Sequence, residues 1–273
     1  MTYSRMPLPI RNARIKLSQG QIFWREIGRG PVLVFLHGSW EDSSQWLPVI
    51  EHLSSEFHCF APDLLGFGES ECPKVHYSIE YQVECLAEYL EALKLKQVYL
   101  VGHSLGGWIA ASYALKYLDQ VNGIVLLTPE GVLARGLERR WQGARLLLQP
   151  FVLWTLRSLR PLAKLLKIGK IDPLLQQRQQ LLQFPTTCQL LFQRRWAEVK
   201  AELLQERLSW LKIPALVLQG GQDTNQAAIL SHTYAQLLPQ ADLKQIPQTG
   251  KNLPQSHPET VAQLIRAFVS GKG

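Results

Sequence analysis

Val98-Tyr99-Leu100-Val101 runs without a break into Gly102-His103-Ser104-Leu105-Gly106-Gly107, and Trp108-Ile109-Ala110-Ala111-Ser112 follows at once. A short apolar run of this kind is a buried strand, and the small and apolar residues after it suit a helix. The chain must therefore turn sharply from strand to helix with a serine at the apex. Gly102 and Gly106 fit such a turn because a Cβ at either place would clash. A helix beginning just beyond the serine also aims its N-terminal dipole at the hydroxyl. A glycine-rich loop without chemistry has the same local pattern, so the rest of the chain decides.

Strands and helices alternate on both sides of this turn. Ala13 to Leu17 and Gln21 to Ile27 alternate apolar and polar residues about Ser18-Gln19-Gly20, which reads as an edge hairpin. Val32 to Leu36 is continuously apolar, a strand buried on both faces, and it ends in His37-Gly38-Ser39-Trp40. Ser43 to Leu53 has helical spacing, and Phe57 to Ala61 is a short strand that leads into Pro62-Asp63-Leu64-Leu65-Gly66-Phe67-Gly68-Glu69-Ser70. Ser78 can cap a helix through Leu93, with Ile79, Val83, Leu86, Leu90 and Leu93 as its apolar stripe. The helix after Ser104 runs to about Leu118 and precedes a strand from Val121 to Leu127. Pro214 to Gln219 is a further strand, followed by Gly220-Gly221-Gln222-Asp223 and a helix from about Asn225 to Leu238. A strand from Leu243 to Ile246, the loop from Pro247 to Pro254 and a last helix from Pro258 to Val269 complete the chain. This pattern predicts a mainly parallel sheet covered by helices on both faces, with a crevice at the carboxyl ends of the strands.

Residues 130 to 212 break the alternation with helix-forming Leu, Gln, Arg and Trp, and read as a helical cap inserted over that crevice. The expected division is a core of residues 1–129 and 213–273 and a cap of residues 130–212. The positive charge is concentrated there too: residues 131–212 hold 15 Lys/Arg against 5 Asp/Glu, while the remainder holds 14 against 17. Arg157, Arg160, Lys164 and Lys167 recur at helical intervals along an apolar stretch that Pro161 should break or bend. A basic amphipathic helix either packs on a core or lies on an anionic membrane surface.

At 273 residues and 46% hydrophobic, the chain can bury one large core with an inserted subdomain. Met1 to Leu17 carries Arg5, Arg11, Arg14 and Lys16 without an apolar centre, so no secretory signal is expected. No apolar run reaches the length of a bilayer span. Cys59, Cys72, Cys85 and Cys188 lack the spacing of a zinc site and suit a reducing compartment. A cytoplasmic protein, peripheral to a membrane if its cap binds one, is the expectation. No cofactor, metal or nucleic-acid motif is present and none of these partners is expected; the oligomeric state is left open.

Taken together, His37-Gly38 after the third strand, Asp63 to Ser70, Gly102 to Gly106, the inserted cap, Gly220-x-x-Asp223 and Pro247-x-x-Gly250 resemble the α/β-hydrolase fold family over nearly the whole chain. The resemblance implies an α/β fold with an eight-stranded, mainly parallel sheet. It implies Ser104 as nucleophile, the N–H groups of Ser39 and Leu105 as an oxyanion hole, and Asp223 as the acid that orients a base, with Glu130 as an alternative acid. His37 and His103 take structural roles by the same resemblance. A serine at the apex points away from the dehalogenase and epoxide hydrolase branches, which need a carboxylate nucleophile.

The departure lies at the base, because Gly250 is followed by Lys251 where the family has histidine. An ordinary lysine has a pKa near ~10.4, so freeing its lone pair at neutral pH costs about 4 to 5 kcal/mol, and a neighbouring Asp223 adds to this. Three readings compete: Lys251 leaves a slow or inactive protein that still binds ligand; Lys251 is a desolvated base; or His257 reaches the site. The expected function is cleavage of a hydrophobic carboxylic ester or thioester through an acyl-enzyme, with Ser104, Asp223 and Lys251 as the catalytic set and a small or lipid-like acyl substrate. The alternative is a non-catalytic ligand-binding or interaction protein on the same fold, docking on anionic membrane.

Overall fold

The computed structural model describes residues 9–134, 136–165, 171–250 and 252–271. Two compact units divide the chain: residues 1–134 with 202–273, and residues 135–201.

The described residues of the first unit hold eight strands: β1 (Arg11–Lys16), β2 (Gln21–Gly28), β3 (Val32–Leu36), β4 (His58–Pro62), β5 (Val98–His103), β6 (Val121–Leu127), β7 (Ala215–Gly220) and β8 (Ala241–Ile246). They form one sheet in the order β1-β2-β4-β3-β5-β6-β7-β8. β2 pairs antiparallel with β1 and β4, and every other pairing is parallel. This is the eight-stranded, mainly parallel α/β sheet that the motif order implied. The parallel strands are apolar on both faces because helices cover both, as β3 and β7 show with buried residues along nearly their whole length.

The helices of the described residues are α1 (Leu47–Leu53), α2 (Ile79–Ala92), α3 (Leu105–Lys116), α4 (Leu137–Leu148), α5 (Pro150–Leu165), α6 (Ile171–Leu182), α7 (Pro185–Cys188), α8 (Trp196–Ala201), α9 (Asn225–Leu237), α10 (Leu253–Ser256) and α11 (Pro258–Val269). On one face of the sheet, Val49, Ile50 and Leu53 of α1 and Val261, Ala262 and Ile265 of α11 join Leu33, Phe35, Val101, Val125 and Leu216 in a single core. The opposite face takes α3 against β3, β5 and β6, with α2 beside it, and α9 against β7 and β8. Ser78 caps α2 as its position predicts, its hydroxyl accepting from the Tyr81 N–H at 3.0 Å. The stretch from Ser43 begins instead as a 3-10 turn, Ser43–Trp46, capped by Asp42 and continued by α1.

Residues 131–134 and 202–208 belong to the first unit because their backbone is tied to it. Leu204 N–H donates to Gly131 C=O at 2.8 Å, and the Trp108 indole N–H donates to Glu202 C=O at 3.2 Å.

The second unit is helical, α4 to α8, around Leu147, Leu148, Leu181 and Cys188. The buried Arg178 guanidinium donates to the carbonyls of Leu147 and Gln149, so a cation caps the C-terminus of α4. Pro161 lies inside α5 and does not break it, so of the two outcomes expected at this proline, a break or a bend, the break does not occur. The carbonyl that loses its donor belongs to Arg157, an exposed residue, where water can satisfy it. Among the described residues no helix is long and apolar enough to cross a membrane.

Candidate active site

The turn after β5 is set by close backbone contacts. A Cβ on Gly102 would lie 2.4 Å from the Gly106 carbonyl oxygen, and one on Gly106 would lie 2.1 Å from the Leu36 carbonyl oxygen. Backbone therefore occupies the space that any side chain would need, and α3 starts directly against β3. Ser104 sits at the apex with φ 51° and ψ −111°, a strained conformation for a residue with a Cβ. Its N–H donates to Leu127 C=O at 3.0 Å, and its C=O accepts from Gly107 and Trp108 at 3.1 and 3.2 Å. Leu105 is the first residue of α3, so its N–H belongs to the first turn, where no upstream helical carbonyl reaches it.

The Ser104 hydroxyl donates to Oε1 of Glu130 at 3.1 Å. Among the described residues this is the partner of the serine side chain. Glu130 stands in the loop that leaves β6, the neighbour of β5 in the sheet. That loop is held at each residue. Thr128 has φ 41°, and its N–H donates to Leu218 C=O of β7 at 3.0 Å. Pro129 abuts Gly107, whose missing Cβ would stand 2.9 Å from the proline ring. Glu130 N–H donates to Ser104 C=O at 3.1 Å, and Glu130 C=O accepts from the Tyr234 hydroxyl at 2.6 Å. Gly131 has φ 97°, and a Cβ there would lie 2.4 Å from the Trp108 ring. Burial first, and then the charge of Glu130, push the Tyr234 phenol well above its ordinary range, so it stays a donor.

Asp223 lies in the turn after β7, half-buried, with its N–H donating to Gly220 C=O at 3.2 Å and Oδ1 accepting from Thr224 N–H at 2.8 Å. The loop after β8 meets this turn: Gln222 N–H donates to Thr249 C=O at 2.7 Å, and a Cβ on Gly220 would lie 2.7 Å from the Gly250 carbonyl oxygen. Ser104, Glu130, Asp223 and Gly250 thus follow four strands that are successive neighbours, β5, β6, β7 and β8, spaced about 4.8 Å apart. Lys251 itself lies outside the described residues.

On the other side of Ser104, the loop after β3 places the buried Ser39 next to Gly38, whose N–H donates to the Gln45 side-chain oxygen at 3.1 Å. The Gln45 amide nitrogen donates to His103 Nδ1 at 2.9 Å, so one buried carboxamide ties this loop to the residue before the serine. His37 Nε2 accepts from Leu64 N–H at 3.0 Å and Nδ1 faces Gly38 C=O at 2.9 Å, which requires the neutral ring with its proton on Nδ1. Burial lowers the His37 pKa, against the opposing charges of Asp63 and Asp42. Both histidines are engaged in holding loops. The buried Asp63 accepts from Ser43 N–H at 2.6 Å and Glu69 N–H at 2.7 Å, closing the glycine-rich loop after β4.

His257 opens α11: its N–H donates to Leu253 C=O at 3.1 Å and its C=O accepts from Val261 N–H at 3.0 Å. His76 and His232 are exposed. The structure therefore joins Ser104 to the residue read as an alternative acid, Glu130, and places Asp223 one strand further along without a hydrogen bond to the serine. Tyr234, a buried residue of α9 that orients Glu130, carries no local signal in the sequence.

Residues 31–258 match the family model described as alpha/beta hydrolase fold. The chain is 35% identical over 135 residues to the 1-acylglycerol-3-phosphate O-acyltransferase ABHD5 of Mus musculus, covering 46% of this chain and 38% of that protein. It is 36% identical over 123 residues to the 2-hydroxy-6-oxo-2,4-heptadienoate hydrolase of Pseudomonas putida, covering 42% and 45%. The matched stretches thus span under half the length of these relatives. A thermophilic esterase from Thermogutta terrifontis superposes with a TM-score of 0.74 at 22% identity, covering 96% of this chain and 99% of that one. A membrane phospholipase A superposes with a TM-score of 0.74 at 23% identity over 96% and 86%. With the sheet order, the turn at Ser104 and a family match over most of its length, the chain belongs to the α/β-hydrolase fold family.

Proposed function

We propose that this chain is a serine hydrolase that cleaves a hydrophobic carboxylic ester or thioester through an acyl-enzyme on Ser104. One observation carries the reading: Ser104 is held at a strained apex with its hydroxyl bonded to a carboxylate. Attack on the substrate carbonyl gives an oxyanion, which the N–H groups of Ser39 and Leu105 stabilise. Asp223 and Lys251 occupy the acid and base positions of the family. Lys251 enters this scheme as an ammonium, a poor base at neutral pH by about 4 to 5 kcal/mol, so turnover is slow unless another group takes the proton. The hydrophobic acyl preference rests on the Leu-rich composition of residues 130–212.

The test is incubation with a fluorophosphonate probe and with short- and long-chain p-nitrophenyl esters, using the unaltered chain, Ser104→Ala and Lys251→His. Labelling of the unaltered chain that Ser104→Ala abolishes supports the hydrolase. No labelling or turnover in the unaltered chain, with both gained in Lys251→His, excludes an active hydrolase as sequenced.

A second reading, a non-catalytic protein that docks on anionic membrane, is favoured by residues 135–201, which hold 13 Lys/Arg against 3 Asp/Glu. On α5, Phe151 and Trp154 are 61% and 71% exposed and Arg157 follows one turn on. Co-sedimentation with phosphatidylserine vesicles should be strong at low salt and weaken as salt rises; no binding at low salt removes this reading.

A further inference from the structure

We propose that Glu130 is the proton acceptor of this site, its carboxylate taking the Ser104 hydroxyl proton in acylation and a water proton in deacylation. Resting on the reading of Ser104 as nucleophile given above, this adds the base that Lys251 supplies poorly.

The geometry is direct. Oε1 of Glu130 stands 3.1 Å from the Ser104 Oγ, within the reach a general base needs. The backbone that carries the carboxylate is fixed: the Glu130 N–H and C=O are both bonded, to Ser104 and Tyr234, and the residues on either side are locked by Gly107 and Trp108. Strain points the same way. Ser104 at φ 51° and Thr128 at φ 41° are both non-glycine residues in the left-handed region, on loops leaving adjacent strands. Thr128 is β-branched, the type least suited to that region, so the fold forces the loop that aims Glu130.

The chemistry balances without a further reactant. As Oγ bonds to the substrate carbonyl carbon, its proton passes to Oε1 of Glu130 and the carbonyl electron pair moves to oxygen. Collapse breaks the bond to the leaving alcohol, which takes the proton back from Glu130. Water then attacks the acyl-enzyme, giving its proton to Glu130, and the cleaved Ser104 oxygen recovers it. An ordinary glutamate, with a pKa of about 4.3, is a weaker base than imidazole by about two pKa units, yet at neutral pH it is almost wholly in its deprotonated, proton-accepting form, where a lysine amine is not.

The experiment uses the full chain, a fluorophosphonate probe and p-nitrophenyl butyrate, at pH 4 to 10, with Glu130→Gln and Glu130→Asp. Glu130→Gln keeps a polar group of the same shape but removes the base, and should slow labelling and turnover about a hundredfold or more. Glu130→Asp should retain part of the rate. In the unaltered chain the rate should rise through the carboxylate range and stay level from about pH 6 to 9. Labelling of Glu130→Gln within threefold of the unaltered chain overturns the proposal, as does a rate still climbing toward pH 10, the signature of an amine base. If Glu130→Gln does not fold, the pH profile of the unaltered chain decides. An unaltered chain that neither labels nor turns over removes the hydrolase reading itself and the role of Glu130 with it, whereas an active chain indifferent to Glu130 removes only the latter.

Discussion

Replacing Ser104 by glycine and, separately, by alanine measures the strain stored in the turn. Both variants lose the hydroxyl and its bond to Glu130, so they differ only in the Cβ. With φ 51° and ψ −111°, Ser104 lies where glycine sits freely and a residue with a Cβ is strained by about 1–3 kcal/mol. Glycine also has more freedom in the unfolded chain, which costs roughly 0.5–1 kcal/mol relative to alanine. At the middle of these ranges the difference leaves Ser104→Gly more stable than Ser104→Ala by about 1 to 2 kcal/mol, the reverse of the usual order. Thermal melting of the pair should show the glycine variant higher by about 2 to 5 °C for a chain of this size. Urea unfolding fitted with a shared slope provides the free energy independently. Equal stability, or a more stable alanine variant, refutes the reasoning that the apex is strained and with it one support for the site.

Three further perturbations test the surroundings. Gly106→Ala drives a methyl group to 2.1 Å from the Leu36 carbonyl oxygen, backbone of a central strand; the loss should exceed about 4 kcal/mol, and a melting point within 2 °C of the parent contradicts it. Asp63→Asn replaces an acceptor of two backbone N–H groups with a donor on one side, so urea unfolding should report about 2 to 3 kcal/mol less stability. His37 is neutral in the fold because burial lowers its pKa below the ordinary 6.5. Between those two values the unfolded chain binds a proton that the folded chain does not, so stability falls as pH drops below 6.5, by at most about 1.4 kcal/mol per pH unit. His37→Asn should flatten that slope, and a slope unchanged by the substitution argues against the assignment.

Much of the fold is legible in the residues. The continuous apolar runs Val32–Leu36 of β3, Val98–Val101 of β5, Ile124–Leu127 of β6 and Ala215–Leu218 of β7 reflect strands covered on both faces, and glycine spacing around Ser104 reflects contacts a Cβ would block. The capping of α2 by Ser78 is equally local, since the groups involved lie three residues apart. The start of α1 as a 3-10 turn and the continuation of α5 through Pro161 were harder to read, because both depend on how water and neighbouring chain satisfy a few backbone groups.

The sequence by itself determined the serine turn, the alternation that builds a parallel sheet and the set of loops gathered at its carboxyl end. It left Asp223 and Glu130 as competing acids. Only the tertiary structure decided which of them touches Ser104: parallel pairing of β5 with β6 brings residues 104 and 130 to neighbouring loops. The backbone position of Glu130 then depends on a left-handed threonine and on Tyr234, a residue 104 positions away along the chain. Periodicity and turn propensity act over a few residues, whereas the hydrogen bond at Ser104 depends on backbone strain held by distant packing.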